Sequence, residues 1–267
     1  MDLFGTAKRM WALDSPTFTI PANLVMIGSE GEMTIPLPAY LIEHPRGLIL
    51  FDTGLVPEAI DDARAVYGDM ADLMGIKAKP DQRLDRQIEA LGHRLSDVTH
   101  VIASHLHYDH AGGLSLFPEA KLYIGAGEMP HAYWPGRTVI PGFTDHAFHR
   151  SDFADIPRFR WREIPGRDID LFGDGSIVIL YTPGHTPGEL SLLVRLPNRN
   201  FILTGDTVHV RAALELEIPS IGDMDSVAAV HSLQRMKLIR DAADATVWIT
   251  HDPEDWADNV HAPHCHE

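Results

Sequence analysis

The sequence predicts an α/β protein in which two β-sheets are sandwiched between helices. Three observations carry that reading. Short apolar runs bounded by turn residues, at 98–103, 177–181, 201–204 and 246–250, have the length and composition of buried strands. Strands, loops and helices alternate in both halves of the chain, without an internal repeat of fixed period. Several runs end in a histidine or aspartate beside turn residues, which places the chemistry at strand ends. With 267 residues, 45% of them hydrophobic, the chain can bury such a core as one domain spanning 1–267.

Residues 1–36 mix apolar and turn residues without a helical period, and short strands are expected at 12–20 and 23–27. Met10, Trp11, Phe18, Met26 and Met33 serve here as core, or as a substrate-covering segment able to hold an acyl or aromatic group. A hairpin follows, with strand 37–43, the turn His44-Pro45-Arg46-Gly47, and strand 48–51 running into Asp52-Thr53-Gly54. Asp52 suits two compatible tasks: ending the strand ahead of a helix, and orienting a metal-bound histidine. Helices are expected at 57–67, 84–91 and 127–134, and strands at 98–103 and 121–124. The connection 135–165, rich in Pro, aromatic and charged residues, is long enough to be an insertion that covers a site or makes an interface, so a homodimer is admitted. Strands at 177–181, 189–196 and 201–204 come next, then a helix at 226–243 and the strand 246–250.

The densest chemistry lies in Ser-His-Leu-His-Tyr-Asp-His-Ala-Gly-Gly, residues 104–113, on the loop leaving the strand 98–103. If that loop begins extended, His105, His107 and Asp109 project the same way and His110 turns toward a neighbouring point. Such an arrangement suits two adjacent metal centres better than one. His185, Asp206 and His251 each stand at the end of a predicted strand. Together these residues supply five histidines and two aspartates, enough for two four- or five-coordinate sites sharing a carboxylate. Imidazole and carboxylate without thiolate suit zinc, iron, cobalt or manganese. Tyr108 reads as packing and His231 as a surface or core histidine, while His261, His264, Cys265 and His266 read as a flexible tail that binds metal incidentally.

The balance of 22 basic against 38 acidic residues, a net charge of −16, disfavours nucleic acid and anionic membrane surfaces as partners and favours a neutral or apolar small molecule. Cys265 is the only cysteine, so no intramolecular disulfide forms. The first residues lack the apolar core of a signal peptide, and no run approaches the roughly 20 apolar residues of a membrane span. A cytoplasmic protein is the expectation.

The full His-x-His-x-Asp-His pattern at 105–110 resembles the loop signature of the metallo-β-lactamase superfamily. The resemblance continues through Asp52-Thr53-Gly54, Thr182-Pro183-Gly184-His185-Thr186-Pro187-Gly188, Gly205-Asp206-Thr207 and His251-Asp252, and so covers roughly residues 37 to 252. It implies an αββα sandwich with a dinuclear site at one edge of the sheets. His105, His107 and His185 would bind one metal, Asp109, His110 and His251 the second, and Asp206 would bridge. The two divalent ions, zinc or else iron, cobalt or manganese, would hold a hydroxide as nucleophile. Asp109 would pass a proton to the leaving oxygen.

Within the superfamily, His107 replaces the Glu of redox flavodiiron members, Asp206 is the carboxylate that secreted β-lactamases lack, and there is little room after His251 for the helical domain of glyoxalase II. The sequence then looks most like the N-acyl-homoserine lactone lactonase group, which implies quorum quenching by lactone hydrolysis. One departure is His209, where that group commonly has a Tyr supporting the carbonyl oxygen; a histidine can donate the same hydrogen bond, pack, or signal another substrate. Other lactones, aryl esters or phosphotriesters as substrates are the alternative, and an iron-dependent persulfide dioxygenase is a further one.

Overall fold

The computed structural model describes residues 4–135 and 147–267. Its centre is a pair of sheets. The strands are β1 (Arg9–Ala12), β2 (Thr17–Pro21), β3 (Glu32–Pro36), β4 (Tyr40–His44), β5 (Gly47–Phe51), β6 (Val98–Ile102), β7 (Lys121–Gly125), β8 (Trp161–Ile164), β9 (Ile169–Asp170), β10 (Ile177–Tyr181), β11 (Leu190–Arg195), β12 (Asn200–Leu203) and β13 (Ala245–Trp248). One sheet has the order β1-β4-β5-β6-β7-β8 and the other β13-β12-β11-β10-β9, while β2 and β3 form a separate hairpin.

The layer between the sheets is built from inward side chains of both: Tyr40, Ile49, Phe51 and Ile102 from the first, and Ile179, Leu192, Phe201 and Trp248 from the second. Alternate residues of a strand point to opposite faces, so the remaining apolar residues must be covered on the outside. On the first sheet, Leu50, Val101 and Leu122 pack with Leu84 and Ile88 of the helix Leu84–Ala90. On the second, Leu180, Leu193 and Ile202 pack with Leu233 and Met236 of the helix Ser226–Ala243. That helix starts where the Asp225 carboxylate accepts the N–H groups of Val227 and Ala228, both at 3.0 Å, a cap worth about 1 kcal/mol. The result is the αββα sandwich.

Strand direction positions the chemistry. β5, β6, β7 and β8 run parallel, as do β12 and β13, and β10 points the same way as β12 because each is antiparallel to β11. Asp52, His105, His185, Asp206 and His251 therefore all emerge at strand C-terminal ends, at one edge of the sandwich. The backbone N–H of Leu190 donates to the Ser104 carbonyl at 2.9 Å and ties the two sheets together there.

Three expectations change. The span 12–20 divides into β1 and β2, and 23–27 is not a strand: Ala22–Leu24 is a 3-10 turn, closed by the Val25 N–H on the Ala22 carbonyl. The histidine-containing tail is docked rather than loose. Met10 and His266 exchange both backbone hydrogen bonds and Ala262 donates to Ala12, so the tail covers the free edge of β1. The expected insertion 135–165 lies partly outside the described residues, and its described part contains β8.

Candidate metal centre

His105 and His107 leave β6 just before the short helix Tyr108–Ala111, which carries Asp109 and His110. His185 lies on the Pro- and Gly-rich loop after β10, Asp206 in the 3-10 turn Gly205–Thr207 after β12, and His251 just beyond β13. The fold gathers them in two groups, His105, His107, His185 and Asp206 in one, Asp109, His110 and His251 in the other. All seven residues singled out as ligands from the sequence are thus brought together.

The Asp206 carboxylate stands between the groups. Its Oδ1 is 3.1 Å from His110 Nε2 and 2.9 Å from His251 Nε2, and its Oδ2 is 3.2 Å from His185 Nε2 and 3.8 Å from His105 Nε2. Despite these distances, His105 Nε2, His110 Nε2 and Asp206 Oδ1 are sealed from solvent without a properly directed hydrogen bond. Buried polar atoms are normally paired. Lone pairs that converge on common points instead of on one another fit divalent cations held by nitrogen and oxygen donors.

The opposite nitrogen of most rings has a fixed partner. His110 Nδ1 lies 2.9 Å from Asp52 Oδ2, His185 Nδ1 3.2 Å from Asp223 Oδ1, His105 Nδ1 3.3 Å from Glu189 Oε2, and His251 Nδ1 2.7 Å from the Pro36 carbonyl. The Asp52 and Asp223 carboxylates and the Pro36 carbonyl accept the ring N–H and leave the inward nitrogen as a donor to metal, while His105 Nδ1 meets the Ser104 hydroxyl at 3.0 Å. Asp52 therefore fixes the His110 ring, and it does so from a left-handed backbone conformation (φ 59°). Glu189, Asp223 and Glu128 were not singled out from the sequence. They look there like ordinary strand, loop and helix carboxylates, and only their burial in the fold marks them.

Electrostatics divides the imidazoles. Burial, reinforced by neighbouring rings, holds His105 and His107 well below the usual imidazole range, so both are neutral. Burial also pulls on His110, His185 and His251, but Asp206 and nearby carboxylates outweigh it and raise all three. Asp206 answers in the opposite sense: burial alone would raise it, and the surrounding imidazoles hold it well below the carboxylate range.

The centre opens into a cavity lined by Asp109, His209 and His251 together with apolar Phe18, Ile20 and Met74. Phe18 and Ile20 come from the β2–β3 hairpin, so the N-terminal segment shapes the cavity. His209 Nε2 lies 3.2 Å from Asp206 Oδ2. Tyr108 is packed between Phe18 and Tyr67, and His231 is exposed on its helix. His261 stacks on Trp256 while His266 packs against Phe201 and Trp248, so the tail histidines diverge and build no metal cluster among the described residues.

The sequence model of the metallo-beta-lactamase superfamily matches residues 36–258. Over 264 residues the chain is 34% identical to the N-acyl homoserine lactonase AttM of Rhizobium radiobacter, covering 97% of this chain and 98% of that protein. It is 28% identical to an N-acyl homoserine lactonase of Bacillus cereus over 227 residues, 83% of each protein. Among solved structures, an N-acyl homoserine lactone hydrolase with the product N-hexanoyl-L-homoserine at its catalytic metal centre superposes with a TM-score of 0.84 at 24% identity, across 98% of this chain and 100% of that one. That likeness is one of fold.

Proposed function

Because this chain belongs to the metallo-beta-lactamase superfamily, we propose that it is a dinuclear metal-dependent lactonase that opens the ring of N-acyl-homoserine lactones and so quenches quorum signals. The observation that carries the reading is the placing of Asp206, one oxygen toward each group of ligands, at the end of an apolar cavity. The end-to-end similarity to a lactonase supports the substrate class.

His105, His107 and His185 would hold one divalent ion, Asp109, His110 and His251 the other, with Asp206 between them. Zinc is the ion proposed, with iron, cobalt or manganese as alternatives that the same nitrogen and oxygen donors suit. A bound pair supplies an ionisable water and a Lewis acid for the lactone carbonyl. The residues supply the rest. Asp52, Asp223 and the Pro36 carbonyl fix ring orientations, and Glu189 accepts the Asp206 N–H at 2.9 Å. Asp109, at the cavity wall, would take the proton of the attacking hydroxide and return it to the ring oxygen as the acyl C–O bond breaks, leaving a carboxylate and an alcohol. His209, on the same cavity, donates a hydrogen bond to the carbonyl oxygen. Phe18, Ile20 and Met74 give the acyl chain an apolar wall. The chain is proposed to act as one domain in the cytoplasm, consistent with its single cysteine; among the described residues no helix is long and apolar enough to cross a membrane.

Relative rates test the substrate class. The metal-loaded enzyme is offered an N-acyl-homoserine lactone, an unsubstituted γ-lactone, an aryl ester and a phosphotriester. The highest kcat/KM is expected on the first; a higher value on the aryl ester or phosphotriester would replace it as the substrate.

A further inference from the structure

Below the ligands lies a carboxylate that the proposed reaction does not use. Glu128 is fully buried, and among the described residues no lysine, arginine or histidine forms an ion pair with it. Burying an unpaired carboxylate is costly unless its oxygens are needed as acceptors. Here both are used, by donors from different loops. Oε1 accepts the N–H of Leu106 at 2.9 Å, and Oε2 accepts the N–H of Gly188 at 3.2 Å. Leu106 lies between His105 and His107, and Gly188 closes the loop that carries His185. A neutral amide in that place has one acceptor oxygen and would set its own N–H groups against a backbone donor.

The backbones are pressed together where this happens. A Cβ on Gly188 would lie 2.5 Å from Glu128 Cβ and 2.8 Å from the Gly125 carbonyl oxygen, and one on Gly125 would lie 2.0 Å from the Gly188 carbonyl oxygen. Only glycine at both places lets the loop approach β7 closely enough for Glu128 to reach it. The second group is held differently, with His110 on Asp52 and His251 on the Pro36 carbonyl, and neither of these contacts involves Glu128.

We infer that Glu128 is a positioning residue that clamps the loop of His105 and His107 to the loop of His185, and so sets the grip of that group, and not of the other, on its metal ion. The inference rests on the reading that the two groups hold metal.

The test needs no lactone. The full chain, as wild type and as Glu128→Gln, Glu128→Ala and Gly188→Ala, is titrated with Co²⁺ and followed by its visible spectrum. Release of each ion to a chelator is then timed, with circular dichroism verifying the fold. Each folded variant is expected to lose part of the cobalt spectrum and to release one ion about 10–100-fold faster, while the other leaves within about twofold of the wild-type rate. Should the alanine variants not fold, Glu128→Gln carries the test, since it preserves volume. Folded variants that release both ions at wild-type rates would overturn the inference, as would equal loosening of both ions or a wild type that binds no cobalt. A wild type that holds cobalt yet opens no lactone would sink the proposed reaction and leave the clamp standing.

Discussion

The Asp52 carboxylate joins His110 to the start of the metal loop: Oδ2 lies 2.9 Å from His110 Nδ1, and Oδ1 accepts the Ser104 N–H at 2.6 Å. The residue adopts φ 59°, a conformation asparagine tolerates nearly as well as aspartate. Asp52→Asn therefore removes a charged acceptor while leaving the backbone in place. A fall in kcat of about 10–100-fold is expected, with a change in melting temperature of only a few degrees. Steady-state kinetics and a thermal melt check it, and unchanged kcat would contradict it.

Metal binding is expected to tighten as pH rises. Burial opposes protonation of His110, His185 and His251, but Asp206 outweighs it and raises all three in the metal-free protein. Below those raised values the rings carry protons that an incoming ion must displace. Zinc titrations at successive pH values should show affinity increasing with pH, with protons released on binding. Affinity independent of pH would count against these ligands. The same shifts make a statement about the metal-free fold: the stability these rings contribute is present below the unfolded imidazole value and lost as pH rises through the folded ones.

Two histidines away from the ligands act in the opposite sense. Burial lowers His100 to about 4, where its ring stacks on Tyr123, and lowers His131 to about 4, where its ring meets Phe148 edge-on. In this window the unfolded chain binds more protons than the folded one. Stability is therefore present above the unfolded value near 6.5 and is lost as pH falls toward 4. His131→Phe should narrow the difference in melting temperature between pH 7.5 and pH 5. An unchanged difference would show that His131 does not contribute.

How much of this was legible beforehand differs by residue. The candidate ligands stood out because Gly and Pro turns cut apolar strands just where His185, Asp206 and His251 occur, and strand direction then does the gathering. Asp52 drew notice because it ends a strand just as the candidate ligands do, and the fold sets it against His110. Glu128, Glu189 and Asp223 were not legible, since they accept from backbone or ring N–H groups distant in sequence, which leave no local pattern. The tail misled for the same reason: its histidines look alike in sequence, but docking against β1 sends His261 and His266 to different aromatic neighbours.

The hairpin wall should affect both stability and selectivity. Phe18 is 2% exposed, meets the Tyr108 ring and lines the cavity. Phe18→Ala is expected to cost about 3–5 kcal/mol. In whatever fraction stays folded, KM should rise more for a long acyl chain than for a short one. Equal change for both chain lengths would remove Phe18 from the acyl wall.

His209 tests the donor to the carbonyl. Its Nε2 sits 3.2 Å from Asp206 Oδ2 on the cavity. His209→Phe should lower kcat about 10–100-fold, and His209→Tyr should recover much of the loss, because a phenol donates the same bond. A phenylalanine variant as fast as wild type would assign His209 to packing.

The central claim is that the two groups joined by Asp206 form a metal-dependent lactonase. Its most direct test is acid release from an N-acyl-homoserine lactone in a pH-stat by the zinc-loaded protein. One proton per lactone opened is expected, abolished by chelator, restored by zinc and absent in Asp206→Asn. A metal-loaded wild type that releases no acid from any such lactone would contradict it.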